Sequence, residues 1–205
     1  MSENSKSQSK PRFSLEMYLR KVFKFIIDPI ASGLLKIGLT PNTITGIGFI
    51  FSAVAAYFVS QGKFTVGGLI LLFAGPLDVI DGSMARQIGT PTAYGSLIDS
   101  VTDRYSELVI FGGLLFYFVN AQNSTGILLV FLAAAGSVLV SYVKARAEAL
   151  GLNSKMGILT RVERLIVMIV CLIFGVPMIA LWIIAILANF TSIQRLFFVH
   201  KQTIK

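Results

Sequence analysis

Apolar stretches of near membrane-spanning length alternate with short polar breaks along most of the chain. The pattern predicts six transmembrane helices at roughly 42–61, 66–87, 94–119, 126–148, 158–176 and 178–198. The breaks are QGK near Gly62, GTP near Gly89, NAQNS near Gln122, GLNSK near Asn153 and Gly175-Val-Pro177. The last is so tight that one long kinked span is an alternative there. Ahead of these spans, residues 13–37 mix apolar positions with Arg20, Lys21, Lys24 and Lys36. That mixture fits an amphipathic juxtamembrane helix lying in the membrane interface, with Pro29 dividing it in two. Gly38 ends this helix, Pro41 suits the first turn of the next, and Thr40 or Asn42 caps it. Residues 1–12 are polar and rich in Ser and Lys, which reads as a disordered tail without the apolar core of a signal peptide. The fold class is all-α: a polytopic integral membrane protein of six spans behind an interfacial helix.

Composition agrees. Hydrophobic residues make up 55%, charged residues 14%, and the mean hydropathy of +0.77 excludes an ordinary soluble domain. The lone Cys171 lies in an apolar run, so it forms no intramolecular disulfide and reads as packing. His200, beyond the last span, reads as a solvated tail residue.

Charge sets the orientation. Lys and Arg fall in the N-terminal segment, around Arg86 and Arg104, in the 144–164 stretch and near the C-terminus, while the intervening loops hold only Lys63. Six spans place all the others on one face, which the positive-inside rule makes cytoplasmic, with both termini. Lys155, Lys201 and Lys205 read as such topology signals. Nothing in the chain points to nucleic acid.

Four of the five aspartates, Asp78, Asp81, Asp99 and Asp103, lie within 26 residues flanked by apolar segments. Carboxylates are expensive in such surroundings unless they meet cations. Asp78 and Asp81 are an i,i+3 pair near the end of the second span, and Asp99 and Asp103 an i,i+4 pair near the start of the third. Each pair shares a helix face, and the short turn between the helices lets the pairs converge. Buried salt bridges to Arg86 and Arg104 would leave the four carboxylates under-neutralised. Hard divalent cations with oxygen ligands, Mg²⁺ or Mn²⁺, fit best, since no Cys/His set suits zinc. Gly82 and Gly95 would let a backbone or ligand come close, and Arg86 could meet a phosphate.

Asp78-x-x-Asp81-Gly82-x-x-Ala85-Arg86, eight residues, then Gly95-x-x-x-Asp99-x-x-x-Asp103 resembles the signature of the CDP-alcohol phosphotransferases without departure. The resemblance implies a six-helix catalytic domain over residues 38–205 and two divalent cations held by Asp78, Asp81, Asp99 and Asp103. It further implies that Asp103 is the general base on the acceptor hydroxyl. A CDP-linked lipid, CDP-diacylglycerol or CDP-archaeol, would be held near Gly82, Ala85, Arg86 and Gly95, with Thr92, Asn42 and Thr45 as further contacts. Attack of an alcohol on the β-phosphate would release CMP. The family resemblance also suggests a homodimer, with the small-residue stretches 111–113 and 132–136 as candidate packing faces.

Ser141, Lys144 and Arg146 lie close along the fourth span, Arg161 and Arg164 open the fifth, and Arg195 lies near the C-terminus. Such a basic pocket would suit an acceptor that already carries phosphate. The surroundings of Ser141, Lys144, Arg146, Arg164 and Arg195 resemble the inositol-phosphate-using members, in which they would cradle the acceptor phosphate. This implies inositol 1-phosphate as acceptor, with glycerol 3-phosphate the nearest rival. An ion transporter using the aspartates would more naturally show inverted repeats or broken helices in both halves, and the sequence has neither.

Overall fold

In the computed structural model, which describes residues 15–89, 92–152 and 157–203, seven helices and no strand are found among the described residues. They are α1 (Leu15–Lys36), α2 (Pro41–Ser60), α3 (Phe64–Gln87), α4 (Ala93–Asn120), α5 (Ser124–Ala149), α6 (Arg161–Ile173) and α7 (Pro177–Thr203). The expected tail at 1–12, together with Lys155 and Lys205, lies outside the described residues.

Local chemistry sets most helix ends. Thr40 caps α2 by accepting from the Thr43 amide, with Pro41 in the first turn. Thr92 caps α4 by accepting from Gly95 N at 2.9 Å, and Asn123 caps α5 by accepting from Gly126 N at 2.8 Å. Helix α1 closes through Gly38 at φ 85, where Gly38 N donates to Leu35 O at 3.0 Å and Leu39 N to Leu34 O at 3.1 Å. That left-handed residue favours glycine and satisfies carbonyls the helix end would otherwise leave open.

Pro29 does not divide α1, which runs unbroken from Leu15 to Lys36. The missing proline N–H costs one backbone bond. Tertiary anchoring offsets it, because Ile27 and Ala31 are buried with Ile44, Ile80 and Met84. A polar lock lies beside them: Ser83 Oγ donates to Asp28 Oδ1 at 2.6 Å, and Gln87 Nε2 donates to the Asp28 carbonyl at 3.0 Å.

Helix α2 packs against α3 and α4, α5 lies along α7, and α6 joins α3 to α7. Gly113 on α4 faces the Ala56 carbonyl of α2, and Gly136 on α5 faces Asn189 of α7. A methyl group at either position would meet those atoms at 2.5–2.6 Å. Both small-residue stretches therefore spend a glycine on packing within the subunit.

Helices α2, α3, α5 and α7 are long and apolar enough to cross a membrane. Helix α4 has the length but carries Asp99, Asp103, Arg104 and Glu107 within its first 15 residues, and α6 has only 13 residues. Phe73, Phe131 and Phe174 are all more than 60% exposed on the outside of the bundle. So much exposed apolar surface suits lipid and not water. The chain is an all-helical membrane protein.

Candidate active site

Antiparallel succession brings the start of α2, the end of α3, the start of α4 and the start of α6 to one end of the bundle, where the aspartates lie. Asp78, Asp99 and Asp103 each present a carboxylate oxygen within 4.8 Å of the others. Helical spacing does this: Asp99 and Asp103 are one turn apart on α4, and α3 brings Asp78 opposite them.

Asp81, 4% exposed, is engaged separately: Thr45 Oγ1 on α2 donates to its Oδ2 at 2.6 Å. Thr45, expected beside the nucleotide, thus orients a signature carboxylate. The Oδ1 of Asp99 is buried without a partner.

The positive charge comes from a residue that the sequence reading placed only loosely. Arg161, the first residue of α6, contacts both oxygens of Asp78 at 2.9 Å and Asp103 Oδ1 at 2.6 Å. Arg104 reaches Asp103 Oδ2 at a longer 3.4 Å. Arg86, by contrast, is exposed on the last turn of α3. The local signal for Arg161 was its place at the helix start, where Thr160 bonds to Glu163 across the first turn.

The nucleotide-side residues gather at the same end. A methyl group on Gly95 would meet Thr92 Oγ1 at 2.9 Å and Asn42 Oδ1 at 3.6 Å, so these three are neighbours. One on Gly82 would meet only the tip of Arg86, Nη1 at 3.4 Å. The chain leaves the space beside Gly82 open. Ala85 is half-buried between these residues in sequence.

The five acceptor-side residues divide. Arg164 is 1% exposed and gives a two-pronged ion pair to Glu107, at 2.7 and 2.9 Å. Arg195 is 4% exposed and donates to the Val140 carbonyl at 2.7 Å, beside Ser141. Gly157 lies flat against its guanidinium: a methyl group there would come within 3.1 Å of Nη2. Lys144 and Arg146 are exposed, Lys144 lying 4.0 Å from Glu148.

A cavity of about 80 Å³ opens beside Asp78, Asp81 and Asp103 and runs inward to Leu71, Phe111 and Ile184. Arg161, Glu107 and Arg164 line it, whereas Ser141, Lys144, Arg146 and Arg195 do not. It joins a charged mouth to an apolar floor.

The residues fit a divalent cation. Three carboxylates converge, one buried oxygen lacks a partner, and the donors are all hard oxygens.

Comparison with known proteins agrees with this geometry. Residues 38–194 match the CDP-alcohol phosphatidyltransferase family. The chain belongs to that family and is an enzyme of its class. It is 35% identical over 189 residues to the phosphatidylinositol phosphate synthase of Mycobacterium marinum, covering 87% of this chain and 81% of that protein. It is 36% identical over 189 residues to the archaetidylinositol phosphate synthase of Methanothermobacter thermautotrophicus, covering 89% and 93%. The crystal structure of Mycobacterium tuberculosis phosphatidylinositol phosphate synthase with CDP-DAG bound superposes with a TM-score of 0.79 at 32% identity, over 85% of this chain and 93% of that one. The same synthase in complex with manganese and citrate gives a TM-score of 0.79 at 32% identity, over 84% and 88%.

Proposed function

We propose that this enzyme transfers a phosphatidyl group from CDP-diacylglycerol to L-myo-inositol 1-phosphate, releasing CMP and forming phosphatidylinositol phosphate. The observation that carries the proposal is the cluster of Asp78, Asp99 and Asp103 beside a cavity lined by Asp78, Asp81 and Asp103 together with Arg161 and Arg164. One end of the site suits cations and the other suits a phosphate. Likeness to the mycobacterial synthases supports the acceptor.

Asp78, Asp81, Asp99 and Asp103 would hold two divalent ions, Mg²⁺ or Mn²⁺, whose charge would neutralise a pyrophosphate and stabilise the entering and leaving oxygens. The chain's own residues do the rest. The cytidine and its phosphates lie along Asn42, Thr45, Gly82, Ala85, Arg86, Thr92 and Gly95, with the open face of Gly82 admitting the ligand. Arg164, oriented by Glu107, holds the acceptor phosphate with Ser141, Lys144, Arg146 and Arg195. Asp103 takes the acceptor hydroxyl proton on its carboxylate as that oxygen attacks the β-phosphate.

In the membrane, α2 to α7 form six spans and α1 lies in the interface. Both termini and the site face the cytoplasm, as the basic residues favour. The protein works as a homodimer.

The archaetidylinositol phosphate synthase relative supports a second reading in which CDP-archaeol is the donor. The deciding experiment measures CMP release by the purified protein with Mg²⁺ and either donor. Inositol 1-phosphate, glycerol 3-phosphate, free inositol and serine are supplied in parallel. Release with inositol 1-phosphate alone supports the proposal. Release with glycerol 3-phosphate instead keeps the aspartate chemistry and overturns the acceptor.

A further inference from the structure

Arg161 lies across the carboxylates that a divalent ion would have to share. Its Nη1 meets both oxygens of Asp78 at 2.9 Å, and its Nη2 meets Asp103 Oδ1 at 2.6 Å. Three oxygens able to ligate an ion are thereby engaged by a cation that keeps its proton at any accessible pH. Carboxylates crowded at the end of an apolar bundle repel one another, so some positive charge has to stand between them even before an ion arrives. A guanidinium can serve two carboxylates at once because its donors form a planar fork, which a lysine ammonium lacks.

We infer that Arg161 is a built-in counter-ion, holding Asp78 and Asp103 together in the metal-free protein and competing with the divalent cation for them. This rests on the reading of the aspartates as a metal centre. Asp99, whose Oδ1 is buried without a hydrogen-bond partner, supplies an oxygen that Arg161 does not engage. Loading the ion displaces the guanidinium from its carboxylates. Arg161 already lines the cavity that Arg164 lines, so its charge is then released onto a wall shared with a second arginine. Linkage makes the effect reciprocal: an anion that pairs with the released Arg161 also strengthens metal binding.

The test is a Mn²⁺ titration of purified protein in detergent, with free ion read by electron paramagnetic resonance. Arg161→Gln should bind Mn²⁺ about tenfold more tightly than wild type, the scale of losing a charged competitor. Arg161→Lys should fall between the two. Inorganic phosphate should tighten Mn²⁺ binding in wild type and leave Arg161→Gln unchanged. The wild-type chain gives a test that needs no variant: labelling of Arg161 by phenylglyoxal, read by peptide mass spectrometry, should rise when Mn²⁺ is added. Equal or weaker Mn²⁺ binding by Arg161→Gln, or labelling that stays flat or falls, overturns the competition while leaving the metal centre standing. Absence of Mn²⁺ binding in wild type, or binding undiminished in Asp99→Asn, overturns the metal centre and this inference with it.

Discussion

Arg164 and Glu107 are joined by two parallel bonds, Nε to Oε1 at 2.7 Å and Nη2 to Oε2 at 2.9 Å. The pair ties α6 to α4 one helical turn beyond Asp103, so the arginine is aimed from the same helix that carries the proposed base. A buried charge is stranded when its partner is removed, and Glu107→Ala should cost about 3–5 kcal/mol of stability. Thermal unfolding of the purified variant measures this. Glu107→Gln keeps the shape and should raise the KM for inositol 1-phosphate about tenfold, the factor equivalent to about 1.4 kcal/mol. The kcat and the KM for the CDP-lipid should hardly move. Equal effects on both substrates would remove Arg164 from the acceptor side.

Asp103→Asn removes the proposed base while preserving volume. Turnover should fall by about 10²–10⁴, the range for losing general base catalysis, and further if metal binding also suffers. Binding of CDP-diacylglycerol should survive, as measured by equilibrium dialysis with radiolabelled lipid in detergent. Wild-type turnover would end the assignment.

Thr45→Val removes the hydroxyl that Asp81 accepts from at 2.6 Å. Outer hydrogen bonds of this kind typically contribute 10–100-fold to metal affinity. The Mg²⁺ concentration for half-maximal rate should rise by about that factor, and excess Mg²⁺ should restore most of the rate. A loss that no amount of metal repairs would instead point to direct contact between Thr45 and the nucleotide.

Gly82→Ala should separate stability from function. A methyl group there meets only the end of Arg86, and alanine is the better helix former by about 1 kcal/mol. The ligand-free protein should melt at the same temperature or slightly higher. The KM for CDP-diacylglycerol should nevertheless rise more than about tenfold if the lipid fills that space. An unchanged KM would place the nucleotide elsewhere.

The aspartates could be read from sequence because the argument was local: residues three and four apart on a helix share a face wherever that helix lies. The cap at Thr40 was legible for the same reason, whereas Thr92, expected only beside the nucleotide, also caps α4. Long-range pairings were not. Nothing near Asp103 in the sequence announces that Arg161 will cross to it, or that Glu107 will meet Arg164. Nor could the sequence say that, of the acceptor-side residues, Arg164 lines the cavity and Arg195 donates to the Val140 carbonyl, because helix packing sets both positions. Pro29 misled because a propensity argument could not see Ile27 and Ala31 packed beneath it.

The shortness of α6 has a physical meaning for the bilayer. Its 13 residues extend about 20 Å, whereas the hydrocarbon layer is about 30 Å deep. If the tight turn before α7 lies at the far boundary, as the proposed six spans require, Arg161 sits about 10 Å beneath the near one and Arg164, three residues further on, about 15 Å. In that arrangement the lipid surface would be indented over the site, with water filling the dent. A soluble sugar phosphate and a molecule with two greasy tails can then meet without either changing phase: the enzyme lowers the shoreline and leaves the lipid where it is.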